Sequence, residues 1–295
     1  MKKSVALVLS SGGSKGLAQI GVINALGKND FKISSIAGSS IGSIIGGLHA
    51  MGKLPEFTAW MKTLDRRAIW GLMDFTISTY GLLKAVKALD KMKTIIPDMN
   101  IEEMDIPFAA IATDLINERE IVFNSGSFYE AIRASIAIPT VITPVKYRDT
   151  ILVDGAVLNP IPIMYVARST NDILVVVNLY GEKSDEKDKP GMVTHDQNPT
   201  IVQGILKNIS KLIAVGDKRS LGYYSLLKAT TSAMVHKIAK QNIEKYKPDI
   251  LIDIPYDAAD TFDFDKAAEL IKIGEVAASE AILRYMNSNI RRLLL

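Results

Sequence analysis

The chain has 295 residues, of which 48% are hydrophobic and 23% charged, and its formal net charge at pH 7 is +3. These values are ordinary for a globular protein, and so small a net charge argues against nucleic acid as a partner. The sequence contains no cysteine, which excludes disulfides, thiolate catalysis and cysteine-bound metals, and its three widely spaced histidines argue against a zinc site. The length allows one large α/β domain or two ordinary domains.

The N-terminal sequence MKKSVALVLSSGG resembles a signal peptide only superficially. Its apolar run covers only residues 5–9, whereas a secretory signal needs roughly 7–15 apolar residues. The other long apolar stretch, residues 41–51, is too short and too glycine-rich for a membrane span of about 20 residues. We therefore expect a cytoplasmic protein whose contacts with membranes, where they occur, are peripheral.

Residues 5–9 form a continuous apolar run that is typical of a buried parallel strand. The run leads into the loop SSGGSKG at residues 10–16 and then into a helical pattern over residues 17–26. A strand, a glycine-rich loop and a helix N-terminus together can hold a phosphate or a developing oxyanion, because free backbone N–H groups point at the anion. The loop lacks the spacing of the nucleotide-binding P-loop and of Gly-x-Gly-x-x-Gly, so a nucleotide site is the weaker alternative.

The next segment combines a predicted strand from residue 33, the sequence GSSIG at residues 38–42, and a helix over residues 41–51 that is rich in small residues. Gly-x-Ser-x-Gly between a strand and a helix is the sequence form of a nucleophile elbow, which exposes its serine at a helix N-terminus. Gly38 and Gly42 flank the serine because such a turn is strained and crowded. The pattern predicts that Ser40 is a nucleophile.

Residues 54–99 are predicted to be helical, since Leu82, Val86, Leu89 and Met92, among others, recur at helical spacing. We expect these apolar stripes to pack against the sheet, and a lipid-facing lid is the alternative. Further strands are predicted at residues 108–114, 120–123, 151–154, 172–179 and 249–254. Helices are predicted at residues 127–135, from 159, at 200–245, at 264–285 and in the tail 291–295, while prolines keep residues 138–145 extended. Strands that alternate with helices predict a layered α/β domain.

A serine hydrolase also needs a base. In the usual α/β-hydrolase order of serine, acid and histidine, only His195 and His236 qualify. His49 follows Ser40 on the same helix at about 13 Å along the axis and is too far away. His195 lies in a charged segment and His236 in an ordinary helical pattern, so we interpret both as residues without a catalytic role.

The remaining candidates for the base are two aspartates at the ends of predicted strands, Asp114 and Asp154. Asp154 precedes a glycine, which would let its carboxylate approach another part of the backbone closely. Both aspartates can equally be turn-forming residues, which is a common role for Asp-Gly. The glycine after Asp154 favours this aspartate over Asp114 only slightly.

Three segments together resemble, in the right order, the signature blocks of the patatin-like phospholipases: residues 8–16, 38–42 and 154–156. Residues 112–115, 133–139, 143–145 and 159–162 also look like the bacterial members of this family. The resemblance covers roughly residues 4–180. It implies a three-layer α/β/α fold with a mostly parallel central sheet and helices on both faces. We expect a patatin-like core at residues 1–182, a charged surface loop at 183–198, and a mainly helical part at 199–295 that packs on the same domain.

The resemblance implies a Ser–Asp dyad without a catalytic histidine, in which Ser40 is the nucleophile and Asp154 the base. It further implies an oxyanion hole in the glycine-rich loop, at Gly12, Gly13, Ser14 and Lys15, with supporting motif residues at Gly16, Gly38, Gly42, Gly155 and Ala156. Lys15 stands where the family carries Arg or Lys, and the alternative is a solvated lysine. Ser11 stands where the family usually has a glycine, a departure that is costly if this position needs a positive φ.

The implied activity is hydrolysis of carboxylic esters in phospholipids or related lipids through an acyl-enzyme, with no cofactor and no metal. An aspartate of ordinary pKa, about 3.9, is a weak base toward serine. Burial must therefore raise its pKa, or the oxyanion hole must supply most of the rate. Two alternatives remain: a conventional triad with His195 or His236, and a non-catalytic module whose glycine-rich loop binds a phosphate or nucleotide.

Overall fold

The computed structural model describes residues 2–76, 81–183 and 223–293. Strands and helices alternate along this part of the chain. The strands are β1 (Lys3–Leu9), β2 (Phe31–Ser39), β3 (Gly81–Leu83), β4 (Phe108–Asp114), β5 (Arg119–Phe123), β6 (Thr140–Ile142), β7 (Val145–Tyr147), β8 (Thr150–Asp154), β9 (Ile173–Gly181) and β10 (Ile250–Pro255). The α-helices are α1 (Ala18–Lys28), α2 (Ile41–Ala50), α3 (Leu54–Thr63), α4 (Arg66–Leu72), α5 (Val86–Ile95), α6 (Phe128–Ser135), α7 (Tyr223–Tyr246) and α8 (Ala267–Leu293).

A central sheet runs in the order β10-β9-β1-β2-β4-β8-β7, with β5 on the other edge of β4. The strands from β10 to β4 are parallel to one another, whereas β5 and β8 are antiparallel to β4. The two short strands β3 and β6 form a separate parallel pair. Because the carboxyl ends of parallel strands share one edge, loops after β1 and β2 meet there, which is where open α/β sheets bind ligands.

Alternate residues of β1 face two different cores, as expected for a strand that is covered on both sides. Val5, Leu7 and Leu9 pack in the core beneath α1, α2, α6 and α8. Ala6 and Val8 pack in the opposite core, beneath α7 and the segment around residues 161–166. The mostly parallel sheet with helices on both faces confirms the predicted three-layer α/β/α fold.

Three predicted elements differ from the structure. The segment 54–99 is not helical throughout, because its backbone at Gly81 and Leu83 pairs with Thr140 and Ile142. Leu82, which the helical pattern included, therefore lies in a strand. Local periodicity could not reveal this pairing, since the partner strand is about 60 residues away.

The other two differences lie in the C-terminal half of the chain. The short helix expected from residue 159 is reduced to a 3₁₀ turn at Ile163–Tyr165, because Pro160 and Pro162 have no N–H to donate. The two predicted terminal helices are one helix, α8, which follows a 3₁₀ turn at Phe264–Lys266.

Part of the predicted organisation lies outside the described residues. This applies to residues 184–198 of the charged surface loop, with His195, and to residues 199–222 of the helical region. The strand expected at residues 249–254 is present as β10. Of the helices that the structure describes, none combines the length and apolar character that crossing a bilayer requires.

Candidate active site

The ends of β2 and β8 meet on one edge of β4. Ser39, the last residue of β2, pairs with Ile111, and Asp154, the last residue of β8, pairs with the next residue, Ala112. Strand β5 occupies the opposite edge of β4. Because β2 runs parallel and β8 antiparallel to β4, their carboxyl ends converge at one point. This topology brings Ser40 next to Asp154, 114 positions later in the chain.

Ser40 occupies a strained turn between β2 and α2, with φ 54° and ψ −124°. A non-glycine residue in such a conformation costs on the order of 1–3 kcal/mol, so the surrounding packing must hold it in place. A Cβ at Gly38 would lie 2.3 Å from Gly42 O, and one at Gly42 would lie 2.3 Å from Leu9 O. The glycines of the elbow are therefore required by crowding with backbone atoms, as the sequence pattern indicated.

A side chain from α6 stabilises the backbone of this turn. Ser40 N–H donates to Ser135 Oγ at 2.9 Å, and Ser135 Oγ donates to Ile111 O at 2.6 Å. Ser135 is fully buried. Sequence reasoning missed its role, although the segment 133–139 that contains it was part of the family resemblance. No local spacing connects residue 135 with residue 40.

Asp154 accepts a hydrogen bond from the nucleophile candidate. Ser40 Oγ donates to Asp154 Oδ2 at 2.5 Å, and Ala156 N–H donates to Asp154 Oδ1 at 2.8 Å. The carboxyl group is only 3% exposed. Burial raises the pKa of Asp154 to about 7, although both hydrogen bonds oppose the shift. The glycine that follows is required here too, since a Cβ at Gly155 would lie 2.3 Å from Ile111 O.

The second candidate base, Asp114, is part of a turn. Its carboxylate accepts hydrogen bonds from Thr150 Oγ1, from the backbone and side chain of Asn117, and from Arg119 Nε. Although burial opposes ionisation, these bonds hold the pKa of Asp114 well below its usual range. Asn117 and Arg119 lie in or directly after the β4–β5 turn and Thr150 begins β8, so Asp114 ties that turn to β8 and is a weak base.

The histidines take no part in the contacts of Ser40 among the residues that the structure describes. The ring of His236 packs between Tyr180 and Tyr256, with ring centroids 5.0 and 5.8 Å away. Burial, with the nearby charge of Lys15, lowers the pKa of His236. Burial alone lowers the pKa of His49. His195 lies outside the described residues.

Two residues of the glycine-rich loop line the same cleft as Ser40. Gly12 and Gly13 line this cleft, and within the described chain their N–H groups have no hydrogen-bond partner. Gly13 has a φ of +63°. Ser14 differs, because its N–H donates to Thr261 O at 3.0 Å and its Oγ donates to Asp260 O at 2.6 Å. Ser14 thus anchors the loop to the segment after β10.

Lys15 is buried, so the alternative of a solvated lysine is wrong. Its Nζ donates to Leu179 O and Tyr256 O, both at 3.0 Å, and lies 5.8 Å from the centre of the Tyr180 ring. Burial lowers the pKa of Lys15 to about 8, although the negative charges of Asp257 and Asp260 oppose this shift. The ammonium group joins the glycine-rich loop to the carboxyl ends of β9 and β10.

Ser11, where the family usually has a glycine, does not require a positive φ, because that conformation falls on Gly13. Its N–H donates to Pro160 O at 3.0 Å, and its hydroxyl forms a hydrogen bond with Tyr180 OH. The departure from the family pattern therefore carries no backbone strain.

Two cavities meet at Ser40. The larger is a cleft of about 430 Å³ with Ser40, Asp154, Gly12 and Gly13 at its base. The smaller is an apolar pocket of about 200 Å³ that also reaches Ser40 and Gly13. Side chains of α3, of the residue that follows it and of α5 line the pocket, among them Phe57, Trp60, Met61, Leu64, Leu89 and Met92. The segment 54–99 thus encloses an apolar space beside the candidate nucleophile. In the described residues, no cluster of His, Asp or Glu has the geometry of a metal site.

The chain is similar to proteins of a known family. The family model described as patatin-like phospholipase matches residues 7–167, which include all three signature blocks. An uncharacterized NTE family protein of Mycobacterium tuberculosis is 32% identical, with 94% of this chain and 91% of the relative covered. Lysophospholipase NTE1 of Debaryomyces hansenii is 28% identical over 60% of this chain but only 12% of its own length.

Among solved structures, VipD from Legionella pneumophila matches with a TM-score of 0.46 and 14% identity, covering 97% of this chain and 67% of that one. The family model spans more than half of the sequence, and the mycobacterial relative aligns with it almost from end to end. This chain therefore belongs to the patatin-like phospholipase family.

Proposed function

We propose that this protein is a lipid acyl hydrolase that cleaves carboxylic esters of phospholipids or related lipids with a Ser40–Asp154 dyad. The observation that carries the proposal is the hydrogen bond of 2.5 Å from Ser40 Oγ to the buried carboxylate of Asp154, at the base of an open cleft. Family membership and the relative named as a lysophospholipase support a lipid ester as the substrate.

The reaction begins when Ser40 Oγ attacks the ester carbonyl carbon and passes its proton to Asp154 Oδ2. The N–H groups of Gly12 and Gly13, which have no other partner among the described residues, stabilise the tetrahedral oxyanion. The intermediate collapses as the alcohol leaves with the proton from Asp154. Water then attacks the acyl-enzyme, Asp154 accepts the proton of the water, and the fatty acid leaves as Ser40 regains a proton.

The environment of Asp154 supports its role as the base. A general base works best with a pKa near the operating pH, and burial raises the pKa of this carboxyl group to about 7. Ser40 Oγ donates directly to Asp154 Oδ2, with no histidine between the two side chains. The position of His236, with its ring close to those of Tyr180 and Tyr256, argues against a conventional triad that uses this histidine.

The two cavities suggest how the substrate lies. The acyl chain would occupy the apolar pocket, whose walls include Phe57, Trp60 and Met61, and the alcohol portion would lie in the wider cleft. Burial of each methylene contributes about 0.8 kcal/mol, so the pocket favours fatty acyl esters over acetate.

The alternative of a phosphate- or nucleotide-binding module has one observation in its favour, the two amides of Gly12 and Gly13 that have no partner within the described residues. Against it, the ammonium group of Lys15 is bound to two carbonyl groups and does not line the cleft. The cation that such a loop would offer to a phosphate is therefore already engaged.

A labelling and activity experiment tests the proposal. We expect a fluorophosphonate probe to modify Ser40, as mapped by mass spectrometry, and the protein to hydrolyse p-nitrophenyl octanoate faster than the acetate ester. Ser40→Ala and Asp154→Asn should each lower kcat/KM by about 10³-fold or more, whereas the control His236→Ala should keep most of the activity.

Full activity in both dyad variants would refute the dyad. Loss of activity in His236→Ala with retained folding would support the triad instead. Calorimetric titration with ATP and inorganic phosphate completes the test, since binding of either without any esterase turnover would favour the non-catalytic module.

A further inference from the structure

The positive charge of this chain is concentrated above the apolar pocket. Residues 62–76 and 81–93, named here the cationic roof, carry seven basic and three acidic residues, a net charge of +4, whereas the whole chain has +3. The remaining residues therefore sum to −1. The basic residues of the roof are Lys62, Arg66, Arg67, Lys84, Lys87, Lys91 and Lys93.

Two of the three acidic residues of the roof cap helices, whereas most of its basic side chains have no hydrogen-bond or ion-pair partner within the described residues. Asp65 accepts from Ala68 N–H at the start of α4, and Asp74 accepts from Val86 and Lys87 N–H at the start of α5. Within the described residues, Lys93 is the only basic side chain of the roof in an ion pair, with Asp98 at 3.3 Å. All seven basic residues are exposed, so the outer face of the roof has unbalanced positive charge.

The edge of the roof that borders the cleft is aromatic. Trp70 stacks on Phe75 with ring centroids 5.8 Å apart, and both residues line the mouth of the cleft together with Arg66. Phe75 is 54% exposed, and Val86 at the start of α5 is 45% exposed. Aromatic rings next to basic side chains are typical of surfaces that lie in the interface of a bilayer.

The inner face of the roof has the opposite character. Ile69, Leu83 and Met92 are buried and line the apolar pocket beside Ser40. A ligand that meets the outer face at its aromatic edge is therefore already at the entrance to both cavities. An anionic bilayer fits all three features: it offers negative charge to the lysines and arginines, an interface to Trp70 and Phe75, and lipid to the cleft.

We propose that the cationic roof is the surface by which this protein docks on anionic lipid bilayers, so that lipid enters the cleft directly from the membrane. This inference rests on the proposed function for its substrate. Basic residues close to an anionic surface are attracted to it, and the attraction weakens as added salt shortens the Debye length.

Two charge-reversal variants with the same change in net charge provide the test. Arg67→Glu/Lys87→Glu alters the roof, and both positions lie in the first turn of a helix, where glutamate is favourable, so the variant should fold. The control, Lys2→Glu/Lys32→Glu, alters exposed lysines at the amino ends of β1 and β2, at the opposite end of those strands from Ser40. Neither pair belongs to the dyad or lines a cavity.

Sedimentation with vesicles of phosphatidylcholine alone, or with 30% phosphatidylglycerol, measures binding at low and at physiological salt. We expect the wild type and the control to bind the anionic vesicles at least tenfold more tightly than the neutral ones. The roof variant should lose at least tenfold in this binding, while all three hydrolyse soluble p-nitrophenyl octanoate at the same rate.

Equal binding of the roof variant and the control would overturn the docking surface, as would wild-type binding that does not depend on phosphatidylglycerol. Binding of a DNA duplex as tight as binding of the anionic vesicles would also overturn it, because it would indicate a general attraction to polyanions. Failure of the proposed function would appear separately, as vesicle binding by a protein that does not hydrolyse the soluble ester.

Discussion

The floor and the cationic roof of the candidate site are built in opposite ways. The floor, formed by the glycine-rich loop, the elbow and the ends of β2 and β8, has almost all of its side chains buried, and its glycines leave no space for a Cβ. Among the described residues of the roof, the buried hydrophobic side chains are those of Ile69, Leu83 and Met92, and all other residues except Gly81 are partly or fully exposed. Atoms that react must be held within tenths of an ångström, whereas a surface that meets lipid must offer area and charge.

This difference shows which residue types are needed to position reacting groups and which are needed to contact lipid. The floor depends on small residues and backbone hydrogen bonds, because Ser40, Asp154 and the amides of Gly12 and Gly13 must converge in a crowded space. The roof depends on amphipathic side chains, whose apolar parts line the pocket and whose charges face outward. A substitution in the floor should therefore affect folding or turnover, and one in the roof should affect binding.

The largest difference between the two regions is expected in the free energy of unfolding, when a glycine of each region is replaced by alanine. In Gly42→Ala, the new Cβ would lie 2.3 Å from Leu9 O and 2.8 Å from Ser10 O, both backbone atoms that cannot move away. We expect a loss of more than about 3 kcal/mol in the free energy of unfolding, or failure to fold. The matched change Gly71→Ala in α4 of the roof meets no atom within 4 Å, so it should stabilise the protein by roughly 0.5–1 kcal/mol.

Chemical denaturation of the two glycine variants measures both shifts. If Gly42→Ala were as stable as the wild type, or if both variants lost the same free energy, the floor would not be more tightly packed than the roof. Retained ester hydrolysis by Gly42→Ala would contradict the need for glycine in the elbow.

The second prediction is that catalysis at the floor depends on pH, whereas vesicle binding by the roof does not. Asp154 must be ionised to accept the proton of Ser40, and burial raises its pKa to about 7. We expect kcat/KM for a soluble ester to fall about tenfold per pH unit below 7, by roughly 100-fold at pH 5, and to level off at higher pH. Vesicle binding through the roof should change little over the same range, since lysine and arginine side chains in general lose their charge only at much higher pH.

The same pKa has a consequence for stability. The folded protein holds the proton of Asp154 more tightly than the unfolded chain, whose aspartate has a pKa of about 3.9. The contribution of the Asp154 carboxyl group to the free energy of unfolding is therefore greatest at low pH, and it declines as pH rises from about 4 through 7. Asp154→Asn should accordingly have a higher Tm than the wild type at pH 8 and a smaller advantage at pH 5.

For both pH predictions, an activity profile with a midpoint near pH 4 would show that burial does not raise the pKa of Asp154.

The smallest of the floor effects is expected at Ser135, a positioning residue. Ser135→Ala leaves the buried N–H of Ser40 without its acceptor, which costs about 1–3 kcal/mol and loosens the elbow. We expect kcat to fall by roughly tenfold and fluorophosphonate labelling of Ser40 to slow in proportion, with KM and the midpoint of the pH profile unchanged. A raised KM with unchanged kcat would indicate a change in substrate binding and contradict the positioning role.

Much of the floor could be predicted because its constraints are local. GSSIG at residues 38–42 indicates a crowded turn that needs a glycine on each side of the serine. The structure contains that turn, with Ser40 at φ 54°. The central strands could be predicted from their continuous apolar runs, since β1, β2, β4 and β9 are covered on both faces. The segment around β3 was predicted wrongly because a strand of three residues is stabilised by a distant partner, β6, and not by its own periodicity.

The sequence by itself determined the strand–glycine–helix segments, the elbow around Ser40 and the absence of cysteine chemistry, because these depend on neighbouring residues and on composition. The tertiary structure decided which aspartate lies beside Ser40, since β2 and β8 end against consecutive residues of β4. It also decided that Ser135 supports the elbow, that Lys15 is buried, and that Ser14 N–H is bound to Thr261 O. Each of these contacts joins residues far apart in the chain, and only the packed sheet brings them within hydrogen-bonding distance.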